Sequence, residues 1–369
     1  ALNSYEKSKN IRLNLLEKEP ENLSLQNDLA NTYRLIGGLH TNSSDYAKAG
    51  ETLDLALQIR EKLVAQNPQD FAAREKLAEL LWSRGLIPFY DGDNKKAIEF
   101  YRRSQEIYQK LNSEQPDNIR ITQENAYLYL SIGEAQGWDN NFTEAAQNLQ
   151  TALDILRPLA EKNPNDIPIQ RYFMLANNKR AEIHQNVKEF DQSIELFSKG
   201  VAIAQNMSKA DPKSFSAKRD VAIGSKKLAQ VLNEAGRSKE ALETLDSTLK
   251  MFQEMSIADP TNNGLAYDVA NTRHSIGVTY LTLKDYESAA ETLSLAEAEF
   301  KDVLVKNPAD NYAVRMSSIN YQNLGKTYAL LAEKRNRQEF LQKSLEKYEL
   351  SLQGFNEAEI EKVKKKMRE

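Results

Sequence analysis

Polar capping residues and small residues recur along this chain in columns 48 positions apart. One column holds Asn22, Asp70, Asn118, Asp166, Ser214, Asn262 and Asp310. All seven belong to the types preferred at helix N-caps, where a short side-chain oxygen accepts a bond from an orphan N–H of the first turn. Each therefore predicts a helix that starts at the next residue. A second column contains only glycine and alanine: Gly37, Gly85, Gly133, Ala181, Ala229, Gly277 and Gly325. Glycine inside a helix costs propensity, and close approach by a neighbouring helix would offset that cost. Two more columns are small as well. One holds Ala49, Ala97, Ala145, Ser193, Ala241 and Ala289; the other holds Ala56, Ser104, Ala152, Gly200, Thr248 and Ala296.

Prolines mark the boundaries of the period. Pro20, Pro68, Pro116, Pro164, Pro212, Pro260 and Pro308 each stand two residues before a cap, with no insertion or deletion between the first and the last. A fixed period of this length is the signature of a repeat array. Such arrays bind other macromolecules along an extended surface.

The small columns are spaced twelve and then seven residues apart, and this spacing resembles the tetratricopeptide repeat, a helix–turn–helix unit with small residues where its helices cross. The resemblance implies an all-α fold, a right-handed α-solenoid of stacked antiparallel helix pairs forming a superhelix. The usual repeat is about 34 residues. The extra residues divide evenly, so each helix is about two turns longer than the family needs. The resemblance extends to long variants attached to bacterial signalling proteins, including serine/threonine kinases, and the chain is expected to be part of a larger signalling protein. A HEAT-type array has a similar period but lacks this Gly–Ala–Ala spacing.

On this frame residues 1–20 are an unpaired second helix of a truncated repeat. Six full repeats follow, at 21–68, 69–116, 117–164, 165–212, 213–260 and 261–308. Residues 309–369 form a last repeat, in which the polar stretch Glu333 to Gln338 is expected to lengthen the inter-helix segment, and a polar C-terminal cap. Ala1 falls on the column of Ala49, so the first helix is expected to lack its partner and to continue from a repeat upstream. Its apolar stripe includes Leu2, Tyr5, Leu13 and Leu16, a candidate self-association surface through which homo-oligomers or filaments could form.

Composition narrows the function. Forty-nine basic residues stand against 53 acidic ones, for a net charge of −4. That balance lacks the basic excess of a nucleic-acid footprint. No apolar run approaches the roughly 18 residues of a membrane span, and no stretch of these residues reads as a secretory leader. The absence of cysteine rules out disulfides and thiolate chemistry but does not fix a compartment. There are three histidines: His40 and His184 lie three repeats apart, and His274 stands alone. No phosphate loop, nucleophile elbow or zinc-protease helix occurs. The expectation is a non-enzymatic scaffold without cofactor or metal, whose partner is a protein or peptide.

By the resemblance, first helices line the concave groove. The inward positions of repeats two and three place Glu79, Trp82, Leu86, Phe89, Tyr90, Tyr127, Leu130, Glu134 and Trp138 there as a candidate partner-binding site, including both tryptophans of the chain. Pro88 is expected to stop or kink its helix early, since it lacks a donor and clashes one turn back. Together with Gly137 it would make these the least regular corners of the array.

Overall fold

A computed structural model of the chain describes residues 2–308, 310–335 and 338–351. The described residues form fifteen α-helices and no strand. A lone helix, α1 (Leu2–Lys18), comes first. Pairs then follow: α2 (Leu23–Asn42) with α3 (Tyr46–Gln66), α4 (Phe71–Tyr90) with α5 (Asn94–Glu114), and α6 (Ile119–Trp138) with α7 (Phe142–Lys162); α8 (Ile167–Asn186) and α9 (Phe190–Ala210) come next in the chain. After these come α10 (Phe215–Glu234) with α11 (Ser238–Ala258), α12 (Asn263–Thr282) with α13 (Tyr286–Lys306), and α14 (Asn311–Arg335) with α15 (Gln338–Ser351). The chain divides into two compact units, Ala1–Ile183 and His184–Glu369. Within each, consecutive helices pack antiparallel as a TPR-like α-solenoid.

The polar column caps the first helices. Each of its seven side chains accepts the backbone N–H three residues on: Asn22 from Leu25 at 3.1 Å, Asp70 from Ala73 at 3.0 Å and Asn118 from Ile121 at 3.3 Å. Asp166, Ser214, Asn262 and Asp310 do the same at 3.0, 3.2, 3.4 and 3.0 Å.

Glycine and alanine sit where the paired helices cross. A Cβ placed on Gly37, Gly85, Gly133 or Gly277 would lie 2.6–2.8 Å from Leu53, Tyr101, Leu149 or Leu293, the residues facing them from the second helix. Those four are buried, as is Leu245, which packs with Ala229 at the same lattice position in the second unit. Ala49, Ala56, Ala97, Ala145, Ala152, Ala241, Ala289 and Ala296 are all fully buried. Ser104 uses its hydroxyl to bond the Ala78 carbonyl at 2.7 Å across the crossing. Packing at this density leaves no room for a larger side chain.

Adjacent first helices are tied by polar pairs 49 residues apart, one period and one position. In the first unit Lys76 Nζ donates to Asn27 Oδ1 at 3.4 Å. In the second, Gln185 bonds Glu234 at 2.9 Å, Arg219 pairs with Asp268 at 2.7 Å and Asn233 bonds Thr282 at 3.3 Å.

The turns inside the pairs share one geometry that the sequence did not announce. Their central residues are Ser44, Gly92, Asn140, Lys188, Gly236 and Lys284, and all six have positive φ, between 58° and 86°. The next residue donates to a carbonyl five positions back, as in Asp45 to His40 at 2.9 Å and Asp93 to Pro88 at 2.8 Å. This 6→1 bond is the mark of a Schellman ending.

That geometry corrects the expectation for Pro88. Helix α4 is not stopped early: it runs to Tyr90 and has 20 residues, as α6 and α8 do. Proline in the last turn removes one donor but keeps its carbonyl, and that carbonyl closes the turn. The corner after Gly137 is equally regular, with Asn140 in the left-handed region and Asn141 donating to Gln136 at 2.9 Å.

Two further expectations meet the structure at the ends. In the last pair the added length goes into helix α14 itself, which has 25 residues and continues to Arg335. Ser344 then resumes the small column, fully buried and donating to the Gly325 carbonyl at 2.8 Å. The polar cap after Phe355 lies outside the described residues, as do the side chains of Tyr348 and Ser351. Helix α1 contains no buried residue. Tyr5 and Leu16 are half-buried, whereas Leu2, Ile11, Leu13 and Leu15 are exposed. Among the described residues no helix is long and apolar enough to cross a membrane.

Candidate functional site

Three aromatic rings form a row across consecutive first helices of the Ala1–Ile183 unit: Trp82 on α4, Tyr127 on α6 and Tyr172 on α8. They are 45 residues apart, which is one period less about one helical turn, so the row runs diagonally across the stack. Trp82 and Tyr127 have ring centroids 5.5 Å apart and tilted by 57°; Tyr127 and Tyr172 stack at 4.5 Å and 17°. Such offset and tilted contacts suit the ring quadrupoles. The indole N–H of Trp82 donates to Ser131 Oγ at 3.2 Å, which fixes the ring.

Beside this row lies a partly open cavity of about 350 Å³. Its walls are Trp82, Ser83, Tyr108, Tyr127, Leu128 and Tyr172, with Glu79, Glu124 and Arg34 as charged groups. Burial holds the Glu124 carboxyl above the usual glutamate range, and the nearby Glu79 and Glu75 push the same way. Arg120 and a hydrogen bond with Tyr172 act against the rise. Burial pushes the Tyr172 phenol up to about 12, with Glu124 adding to it. The Tyr108 and Tyr127 phenols are also raised, mainly by burial.

The charged rim is partly self-compensated. Arg120 pairs with Glu75 and stands 3.9 Å from Glu79. Arg34 is held by Asn31 Oδ1 through two contacts of 3.3 Å. Among the described residues the Tyr108 hydroxyl has no hydrogen-bond partner, although the residue is only 2% exposed.

Of the residues singled out in the sequence, the cavity brings together Glu79, Trp82 and Tyr127. The others lie elsewhere. Leu130 is buried in the core with Leu149 and Leu153. Glu134 is engaged with Lys179 at 2.5 Å, and Lys179 also reaches Glu182 at 3.2 Å. Burial works against the Lys179 ammonium, but Glu182 and Glu134 outweigh it and hold its pKa above the usual lysine range. Phe89 packs on the core around Tyr101 and Tyr108. Tyr90 stacks on Tyr46 at 5.9 Å. Leu86 is half-buried, and Trp138 is 68% exposed at the end of α6.

Tyr108, Glu124, Tyr172 and Arg34 were not among those candidates. Glu124 and Tyr172 share a column eight residues after the lattice proline, one turn earlier than the inward positions taken from the resemblance. Following the diagonal would have found both.

No protein-family model matches the chain. No curated protein matches it in sequence. Solved structures do. The crystal structure of BtubC (BKLC) from P. vanneervenii matches with a TM-score of 0.53 at 15% identity, covering 69% of this chain and 90% of that one. The apo form of RapI matches at 0.53 and 12%, covering 91% and 99%. The apo form of the quorum sensor NprR from B. thuringiensis matches at 0.51 and 11%, covering 94% and 97%. At such identities the likeness is one of fold, and the fold is that of tetratricopeptide-like repeat proteins.

Proposed function

We propose that this chain is a non-enzymatic protein-interaction scaffold that binds a peptide or protein segment along the first-helix face of its Ala1–Ile183 unit. The observation that supports this most is the half-open aromatic cavity beside Trp82, Tyr127 and Tyr172. Aromatic side chains held rigidly by their neighbours are the usual anchors of an interface, and they bind without losing much side-chain entropy. The fold it shares with the quorum sensor NprR fits a role in recognition. In a larger signalling protein, such a scaffold would supply the binding function while catalysis resides in another domain.

The test is selection of binding peptides from a displayed random library on the intact chain, followed by affinity measurement on variants. Trp82→Ala is expected to lower affinity by about tenfold or more, the range of an interface hot spot, with helicity unchanged. Trp138 lies outside the cavity, and Trp138→Ala is expected to have little effect. Peptides that bind Trp82→Ala as well as wild type would overturn the assignment.

A second reading is favoured by α1, which has no fully buried residue and exposes Leu2, Ile11, Leu13 and Leu15. A second copy packed on that face would make the chain a building block, and a heterologous contact would extend into filaments. Light scattering decides it: a mass that stays at 42.0 kDa across concentrations removes this reading.

A further inference from the structure

We infer that the cavity of the Ala1–Ile183 unit recognises a basic side chain, arginine or lysine, of the bound segment. The inference rests on the docking role proposed above and names its chemistry. The cavity has the composition of a cation cage. Tryptophan has the most attractive ring face for a cation, and Trp82 is half-buried with Tyr127 tilted beside it. Two carboxylates, Glu79 from α4 and Glu124 from α6, line the same space.

The cavity's own groups leave it short of positive charge. Arg120 is committed to Glu75 and leans toward Glu79, which leaves Glu124 with a tyrosine hydroxyl as its hydrogen-bond partner in the cavity. A half-buried carboxylate whose nearest cation, Arg120, is already shared with two other glutamates is costly. An incoming guanidinium or ammonium would supply the missing charge and donors. Tyr108 also lines the cavity, adding a further aromatic ring beside Trp82 and Tyr127. Arginine fits this arrangement particularly well, because its planar fork both stacks on rings and spans a carboxylate. An anionic ligand would instead meet two carboxylates, with Arg34 alone to attract it.

Arg34 makes the inference testable, because the two charge signs predict opposite outcomes. N-acetyl-argininamide, N-acetyl-lysinamide and the neutral isostere N-acetyl-citrullinamide are titrated into the full chain and followed by NMR and calorimetry. The basic probes are expected to saturate the site and to bind about tenfold tighter than citrulline, a difference of about 1.4 kcal/mol. Glu124→Gln keeps shape and hydrogen bonding and should remove that preference. Arg34→Ala should tighten the basic probes several-fold by removing a like charge. Glu79→Gln, at an exposed position, gives a second reading if the buried substitution disturbs folding.

Equal binding of citrulline, or weaker binding of the basic probes to Arg34→Ala, would overturn the inference. In that event peptides dependent on Trp82 would still uphold the docking role. If neither the probes nor the peptides depend on the cavity, both fall.

Discussion

The turn inside each helix pair permits a sharp energetic test. Its central residue occupies the left-handed region in all six pairs from α2–α3 to α12–α13, yet two of those residues are lysines: Lys188 at φ 63° and Lys284 at φ 62°. Gly92 and Gly236 do the same job at 86° and 80°. Both lysine side chains are exposed, so replacement loses little packing. A side-chain-bearing residue in this region costs about 1–2 kcal/mol, whereas a new glycine gives back roughly 0.4–1 kcal/mol through the freer unfolded chain. The difference favours glycine by about 0.8 kcal/mol per site. Lys188→Gly with Lys284→Gly should therefore stabilise the protein by about 1.5 kcal/mol, since sites this distant are additive. Gly236→Ala should destabilise it by roughly 0.8 kcal/mol, the same difference in reverse. The assay is urea unfolding followed by circular dichroism, comparing midpoints at unchanged slope. Lower midpoints for the lysine-to-glycine pair, or a higher one for Gly236→Ala, would refute the assigned turn geometry.

Other outcomes follow from the packing and the cavity. Ala145→Leu puts three extra carbons at a fully buried crossing opposite Gly133 and should cost about 1–3 kcal/mol by overpacking, read as a lower unfolding midpoint. Asp166→Ala removes the oxygen that caps α8 at 3.0 Å and should cost roughly 1 kcal/mol in the same assay. Glu124 has a folded pKa raised above its ordinary 4.5, so its contribution to stability is fully present below pH 4.5 and is lost as pH rises through the folded value. Glu124→Gln should therefore match wild type in acid and melt at a higher temperature at neutral pH, as thermal scans from pH 4 to 7 would show.

The architecture was legible because it depends on residues with narrow uses. Capping oxygens such as Asp70 and Asn118, and glycines opposite Tyr101 and Leu149, can do little else at their positions, so their spacing carried the pairs and the crossings. The left-handed turn was missed because Ser44, Lys188 and Lys284 are ordinary surface residues, held in that conformation by the 6→1 bond and not by type. The early stop at Pro88 failed for a related reason: a proline in a helix's last turn removes a donor that costs little there. The site was half legible. Glu79, Trp82 and Tyr127 were found through the repeat frame, but neighbouring first helices meet about one turn out of step. That offset brings Glu124 and Tyr172 into the cavity and leaves Trp138 outside. Leu130 could not be told from a groove residue by spacing, because its burial depends on Leu149 and Leu153 arriving from α7.

The most direct test of the account is hydrogen–deuterium exchange of the full chain with and without a peptide selected for binding. A ligand seated beside Trp82, Tyr127 and Tyr172 should slow exchange in α4, α6 and α8, and this protection should vanish with Trp82→Ala. Protection that falls on α1 or on the exposed faces of the second helices, or that survives Trp82→Ala, would contradict the claim that the first-helix cavity is the docking site.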